Sequence, residues 1–162
     1  MRYFSNLGAA ILLLALFATG CSRKMVDEQI PSPVAGSESL WLTNYARAQG
    51  DAKAKQKFLL LDFTGSDWCG WCIRLKREVF DTPEFEKYAR ENLILLEVDF
   101  PRAKELDPTQ KTQNALLAQE LGIQGFPTVV IMNSDGKVIG KLGYTPGGPS
   151  VFISALEKLR RG

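Results

Sequence analysis

Two cysteines three residues apart, Cys69 and Cys72, are the side chains in this sequence best suited to chemistry. Histidine is absent, which removes Ser-His-Asp and Cys-His catalysis and every zinc site built on imidazole. What remains is thiol, carboxylate, lysine, tyrosine and backbone chemistry. The segment from Cys69 onward reads as a helix, with Ile73, Lys76 and Phe80 at helical intervals. Cys69 therefore falls at a helix start, where unpaired N–H groups and the positive end of the dipole favour a thiolate. Cys72, one turn on and less exposed, can attack a mixed disulfide formed on Cys69. Two other readings compete. Half of a zinc site would need a second ligand pair, which the chain lacks. A purely structural disulfide across so short a loop would constrain little of the unfolded chain.

The elements that must position this pair follow from hydrophobic patterning. Trp41, Tyr45, Ala48 and Ala52 predict a first amphipathic helix. Phe58–Phe63 is an apolar run that predicts a strand buried on both faces, and Leu93–Phe100 a second. The helix after Cys69 pauses at Asp81-Thr82-Pro83, where Thr82 can cap a new start and Phe85, Tyr88 and Ala89 resume the apolar face. Pro101–Asp107 is charged and irregular, and Asp107-Pro108 opens a helix that ends at Gly122. Thr128–Met132 is a third strand. Asn133–Gly136 signals a hairpin into a fourth at Lys137–Leu142, and a final helix follows Pro149. Strands separated by helices predict parallel crossovers, with the terminal hairpin as an antiparallel edge.

The run Asp62-Phe63-Thr64-Gly65-Ser66-Asp67-Trp68-Cys69-Gly70-Trp71-Cys72, followed by Gly125-Phe126-Pro127-Thr128, resembles the thioredoxin superfamily, in particular bacterial thiol–disulfide interchange proteins with a CGWC centre. The resemblance spans roughly residues 39–160. It implies a thioredoxin-like α/β fold: a mixed central sheet, parallel strands plus the antiparallel C-terminal hairpin, flanked by helices. It also implies site residues. Cys69 is the nucleophile and Cys72 the resolving thiol. Asp62 matches a buried aspartate that exchanges a proton with the second thiol, although its loop to Cys69 is one residue longer than in small thioredoxins. The alternative is a strand-end aspartate in water. The lysine that often accompanies this aspartate has no counterpart, since Leu93–Val98 offers only Glu97. Pro127 matches a cis-proline facing the disulfide, which would present the Phe126 backbone to an extended substrate. Trp68, Gly70 and Trp71 line the same groove, with Gly143 on the opposite lip. Trp71 stands where proline or histidine is common, which favours a reductant or exchanger over a strong oxidase.

The amino-terminal residues suggest where this chemistry operates. Arg2 precedes an apolar run, Ala9–Ala18, with the proportions of a secretory leader. Ala18-Thr19-Gly20-Cys21 resembles the lipobox of bacterial lipoproteins, implying cleavage before Cys21 and lipid on its sulfur. The alternative is an ordinary secretory signal. Residues 1–20 are thus expected to be removed, 21–38 to form a lipidated, flexible linker, and 39–162 to be the thioredoxin-like domain. Ser22 favours the outer over the inner membrane, with the domain facing the periplasm.

Without Arg2 the basic and acidic residues number 19 and 18, so no surplus exists to grip nucleic acid. The expected partners are disulfide-containing or thiol clients and a membrane electron donor. A monomer with no metal and no organic cofactor is expected. A lipoprotein that holds clients in the groove around Trp68, Trp71 and Phe126 without redox turnover is the rival. A copper-delivery relative is disfavoured by the missing histidine.

Overall fold

The computed structural model describes residues 39–162; the leader, Cys21 and the proposed linker lie outside these. Five strands, β1 (Trp41–Leu42), β2 (Phe58–Thr64), β3 (Leu93–Asp99), β4 (Thr128–Met132) and β5 (Val138–Leu142), form one sheet in the order β1-β3-β2-β4-β5. The helices are α1 (Tyr45–Lys55), α2 (Gly70–Leu75) running into a π-helical turn at Lys76–Phe80, α3 (Pro83–Asn92), α4 (Pro108–Glu120) and α5 (Gly148–Arg161). This is the expected mixed sheet flanked by helices.

Two expectations about the strands are corrected. Trp41 belongs to a short edge strand, parallel to β3, rather than to the first helix, which begins only after Asn44 accepts the Arg47 N–H. Its ring packs against Phe80, 5.1 Å between centroids. β4 pairs antiparallel to β2 although a helix intervenes between β3 and β4. The reason is the course of α4. It starts near β1, where Gln113 bonds Thr43 and Tyr45, and ends near β5, where the Lys141 ammonium donates to the Leu121 carbonyl. A helix lying across the strands does not carry the chain back to the end where β2 began. β4 consequently enters from the end where β2 and β3 finish.

Alternation along the strands divides the core. Leu60, Leu93, Leu95, Val129 and Ile131 face α2, α3 and α5 through Leu75, Phe80, Phe85 and Phe152. Leu59, Leu61, Phe63, Ile94, Leu96 and Val98 face α1 and α4 through Ala48, Ala52 and Leu117. The helix after Cys69 also rotates differently from its predicted register. Ile73 is exposed, while Cys72, Leu75, Val79 and Phe80 are buried. The π-helical turn inserts an extra residue and so brings both Val79 and Phe80 inward. Predicted caps are present: Thr82 accepts the Phe85 N–H ahead of Pro83, and Asp107 accepts from Thr109 ahead of Pro108.

Candidate active site

The cysteine pair sits at the ends of β2 and β3 because β2 runs straight into the turn that starts α2. Gly65 makes that turn possible. Its carbonyl accepts the N–H groups of Trp68 and Cys69, at 3.2 and 2.9 Å. A Cβ at this position would stand 2.5 Å from the Trp68 indole, so a side chain here would expel the ring. Cys69 then occupies the N-cap of α2, with extended backbone, and its Sγ accepts the Cys72 N–H at 3.2 Å. The two sulfurs are joined in a disulfide with Cα atoms 5.2 Å apart. Both cysteines are nearly covered, Cys69 at 7% and Cys72 at 3% exposure. The asymmetry predicted for the pair is therefore slight in the disulfide form.

Around the sulfurs the indoles are the open surface, Trp68 at 37% and Trp71 at 56% exposure. Trp68 is fixed by its Nε1 donating to the Phe100 carbonyl at 2.7 Å and by an edge contact to Phe126. The Phe126 ring stacks on Phe100 and is packed into the α1–α4 side of the core. The Phe126–Pro127 peptide bond is cis. On the other flank Trp71, Arg74, Pro127, Tyr144 and Pro146 line an open groove of about 400 Å³. A Cβ on Gly143 would meet only the Pro127 carbonyl oxygen, 3.9 Å away. Gly70 is similarly unencumbered. The fold thus has room for side chains at both glycines.

Asp62 is the electrostatic anomaly. It points to the same face as Leu60, the face covered by α2, α3 and α5, and is almost fully buried. Its Oδ1 has no hydrogen-bond partner. Burial, reinforced by the charges of Glu97 and Asp99 and opposed by Lys76, pushes its pKa up to about 8. The expected buried aspartate is present, without the lysine. Glu97 lies level with it on β3 and is itself shifted upward, first by desolvation and then by Asp99. Asp99 is buried too but well satisfied: Ser66 donates its N–H and hydroxyl at 2.9 and 2.7 Å, and Lys104 its ammonium at 2.9 Å.

Several residues around the site carried no signal when read singly. Tyr144 donates to Glu78 at 2.7 Å, and Arg74 bonds the same carboxylate at 2.8 Å. Arg74 and Glu78 stand four apart, a spacing that suits a helical ion pair, and nothing local links them to Tyr144. The charged stretch after Pro101 is held by Asp67, whose carboxylate accepts the Arg102 and Ala103 N–H groups at 2.9 and 2.7 Å. The Arg102 guanidinium lies 3.8 Å above the Trp68 ring. Among the described residues no three His, Cys, Asp or Glu side chains converge as metal ligands.

A CxxC disulfide at a helix start, together with a cis-proline ahead of a strand in a mixed sheet of this order, defines a thioredoxin-like protein. The chain matches the thioredoxin-like domain model over residues 45–160 and belongs to that family. Within it, the chain is similar to the disulfide bond reductase DsbH of Chlamydia pneumoniae, 32% identical over 148 residues that cover 90% of this chain and 89% of that protein. The solved DsbH oxidoreductase superposes with a TM-score of 0.71 at 32% identity, over 82% of this chain and 92% of the other. The C-terminal domain of Neisseria meningitidis DsbD, in its oxidised form, shares the fold at a TM-score of 0.53 and 24% identity, over 70% and 90% of the two chains. The protein is a thiol–disulfide oxidoreductase of the Dsb type.

Proposed function

We propose that the protein is a membrane-anchored reductant or exchanger of disulfides in extracytoplasmic proteins, working as a monomer. Cys69 attacks a client disulfide and forms a mixed disulfide. Asp62 takes the proton of Cys72, whose sulfur then attacks Cys69, and the client leaves reduced while the Cys69–Cys72 bond closes. A membrane electron donor returns the pair to the dithiol. The client lies as an extended segment against the Phe126 main chain and Pro127, between Trp68 and the Trp71 groove, with Gly70 and Gly143 giving its backbone room. Lipid on Cys21 would hold the domain at the periplasmic side of the envelope, preferentially on the outer membrane.

The observation that carries this reading is the Cys69 sulfur at the N-cap of α2, accepting the Cys72 N–H. That placement favours the thiolate as attacker and leaving group. The reductase named among the relatives supports the reducing direction. The test pairs two variants. Cys72→Ser should accumulate mixed disulfides with clients, and Cys69→Ser should accumulate none. Activity of both variants equal to the unaltered protein in insulin reduction would defeat the proposal. The reduction potential decides direction: a value near about −270 mV marks a reductant and one near about −120 mV an oxidant. Labelling with radioactive palmitate, abolished by Cys21→Ala, checks the anchor.

A further inference from the structure

The groove beside Trp71 is built from two rings, two prolines and one guanidinium, and the charge of the guanidinium is cancelled. Trp71 and Tyr144 pack with ring centroids 5.3 Å apart and planes tilted by 34°. The Arg74 guanidinium lies over both rings, 5.8 Å from the Trp71 centroid and 5.5 Å from that of Tyr144. Pro127 and Pro146 complete the lining. Arg74 alone would make this groove cationic, but Glu78 stands against it. One carboxylate oxygen accepts the Arg74 Nε at 2.8 Å, and the other accepts the Tyr144 hydroxyl at 2.7 Å. Those bonds, that of Tyr144 first, hold the Glu78 carboxyl below its ordinary pKa, so the ion pair persists at neutral pH. Arg77 also reaches Glu78, at 3.5 Å, but it is mostly in solvent and outside the groove lining. Glu78 lies on the π-helical turn and Tyr144 just after β5. The hydroxyl bond therefore ties the segment after β5 to the helix that carries the cysteines.

Such a surface offers flat apolar faces and no unmatched charge. Trp71 keeps 56% of its surface exposed beside the disulfide. An aromatic side chain laid there gains ring-to-ring contact in addition to burial. A charged one gains no partner, since Arg74 and Glu78 already satisfy each other, and it loses water. Trp71 directly precedes Cys72, so an occupant of the groove belongs to the client segment around the reacting cysteine. On an extended segment, side chains of one face recur about every 7 Å, which keeps that occupant close in sequence.

We propose that the groove is a specificity pocket for an aromatic client side chain within two positions of the reacting cysteine. Tyr144 is its binding ring, and Glu78 is the positioning residue that cancels Arg74. The inference rests on the exchange reading above and adds to it a class of client.

The test uses short peptides, each closed by one internal disulfide and carrying Phe, Ser, Glu or Lys at one place within two positions of a cysteine. At one such place or more, kcat/KM should rank Phe above Ser, and above Glu and Lys by roughly tenfold. In Tyr144→Ala the lead of Phe over Ser should vanish through a higher KM, with kcat moving by less than about twofold. Tyr144→Phe, which keeps the ring, should retain most of that lead. Glu78→Gln leaves Arg74 uncancelled: Phe should still lead Ser, while Glu gains on Lys by roughly fivefold. Glu78→Asp should bring the ratio of Glu to Lys most of the way back. A lead of Phe that is missing in the unaltered protein, or that survives Tyr144→Ala in full, overturns the proposal. An unmoved ratio of Glu to Lys in Glu78→Gln overturns it equally. Binding of the same peptides with serine for both cysteines, read from the Trp71 indole NMR signal, should follow the same order without turnover. If the unaltered protein reduces no peptide, the exchange reading fails, and the binding order then decides the pocket by itself.

Discussion

The two faces of the central sheet are made by the same strands, yet they end differently. Toward α1 and α4, the residues Leu59, Leu61 and Phe63 with Ile94, Leu96 and Val98 are apolar from one end to the other. Toward α2, the sequence of side chains changes from Leu60 to Asp62 and Thr64 on β2, and from Leu95 to Glu97 and Asp99 on β3. The first face contributes stability alone. The second gives up apolar burial over its last two layers to place acids near the strand ends, where β2 runs into the cysteine turn. Within those layers the contrast repeats: Asp99 receives three donors, whereas Asp62 has none for its buried oxygen. Stability and chemistry have been separated by a two-residue period.

Four substitutions break or sharpen that comparison. The largest effect belongs to the apolar face. Phe63→Ala removes a fully buried ring and should cost about 4 kcal/mol in urea unfolding, with the reduction potential of the folded protein unchanged. Next comes Asp62→Asn, of opposite sign. A carboxyl with its folded pKa near 8, against an unfolded value of 3.8, keeps its proton in the folded chain over a range where the unfolded chain has lost it. Its stability contribution is complete below about pH 4 and is lost as pH rises through 8. Asp62→Asn should therefore stabilise the oxidised protein by about 3 kcal/mol at pH 7 and not at pH 4. The same variant should slow resolution by Cys72. Asp99→Asn should instead destabilise, by about 2 kcal/mol at pH 7, since it weakens charge-assisted bonds to Ser66 and Lys104. Equal signs for the two aspartates would abolish the distinction drawn between them. The smallest effect is that of Asp67→Ala, which removes the exposed acceptor of the Arg102 and Ala103 amides. It should show mainly as faster hydrogen exchange at the Arg102 and Ala103 amides.

Much of this was legible in the sequence where the signal was local. The apolar runs at 58–63 and 93–100, the Thr82-Pro83 and Asp107-Pro108 starts, the hairpin at Asn133–Gly136 and the CxxC all depend on neighbours within a few residues. What was missed depends on how distant elements lie. The antiparallel entry of β4 follows from α4 crossing the sheet, and helical periodicity carries no direction in space. Trp41 fits a helical spacing with Tyr45, but pairing with Leu95 decides its state. The rotation of the helix after Cys69 comes from a π-helical turn, which a period of 3.6 cannot anticipate. The site shows the same division. Cys69 and Cys72 announce their role by spacing, and Asp62 by its motif. That Glu97 would stand level with Asp62 required the register of two strands separated by some thirty residues.

Asp67 holds the segment after Pro101 by main-chain amides alone, those of Arg102 and Ala103. Any residue other than proline supplies such an amide. The side chains at 102 and 103 can therefore vary while the strap stays fastened beside Trp68. Replacing Arg102 or Ala103 should therefore alter the surface beside Trp68 and leave the strap's attachment to Asp67 in place.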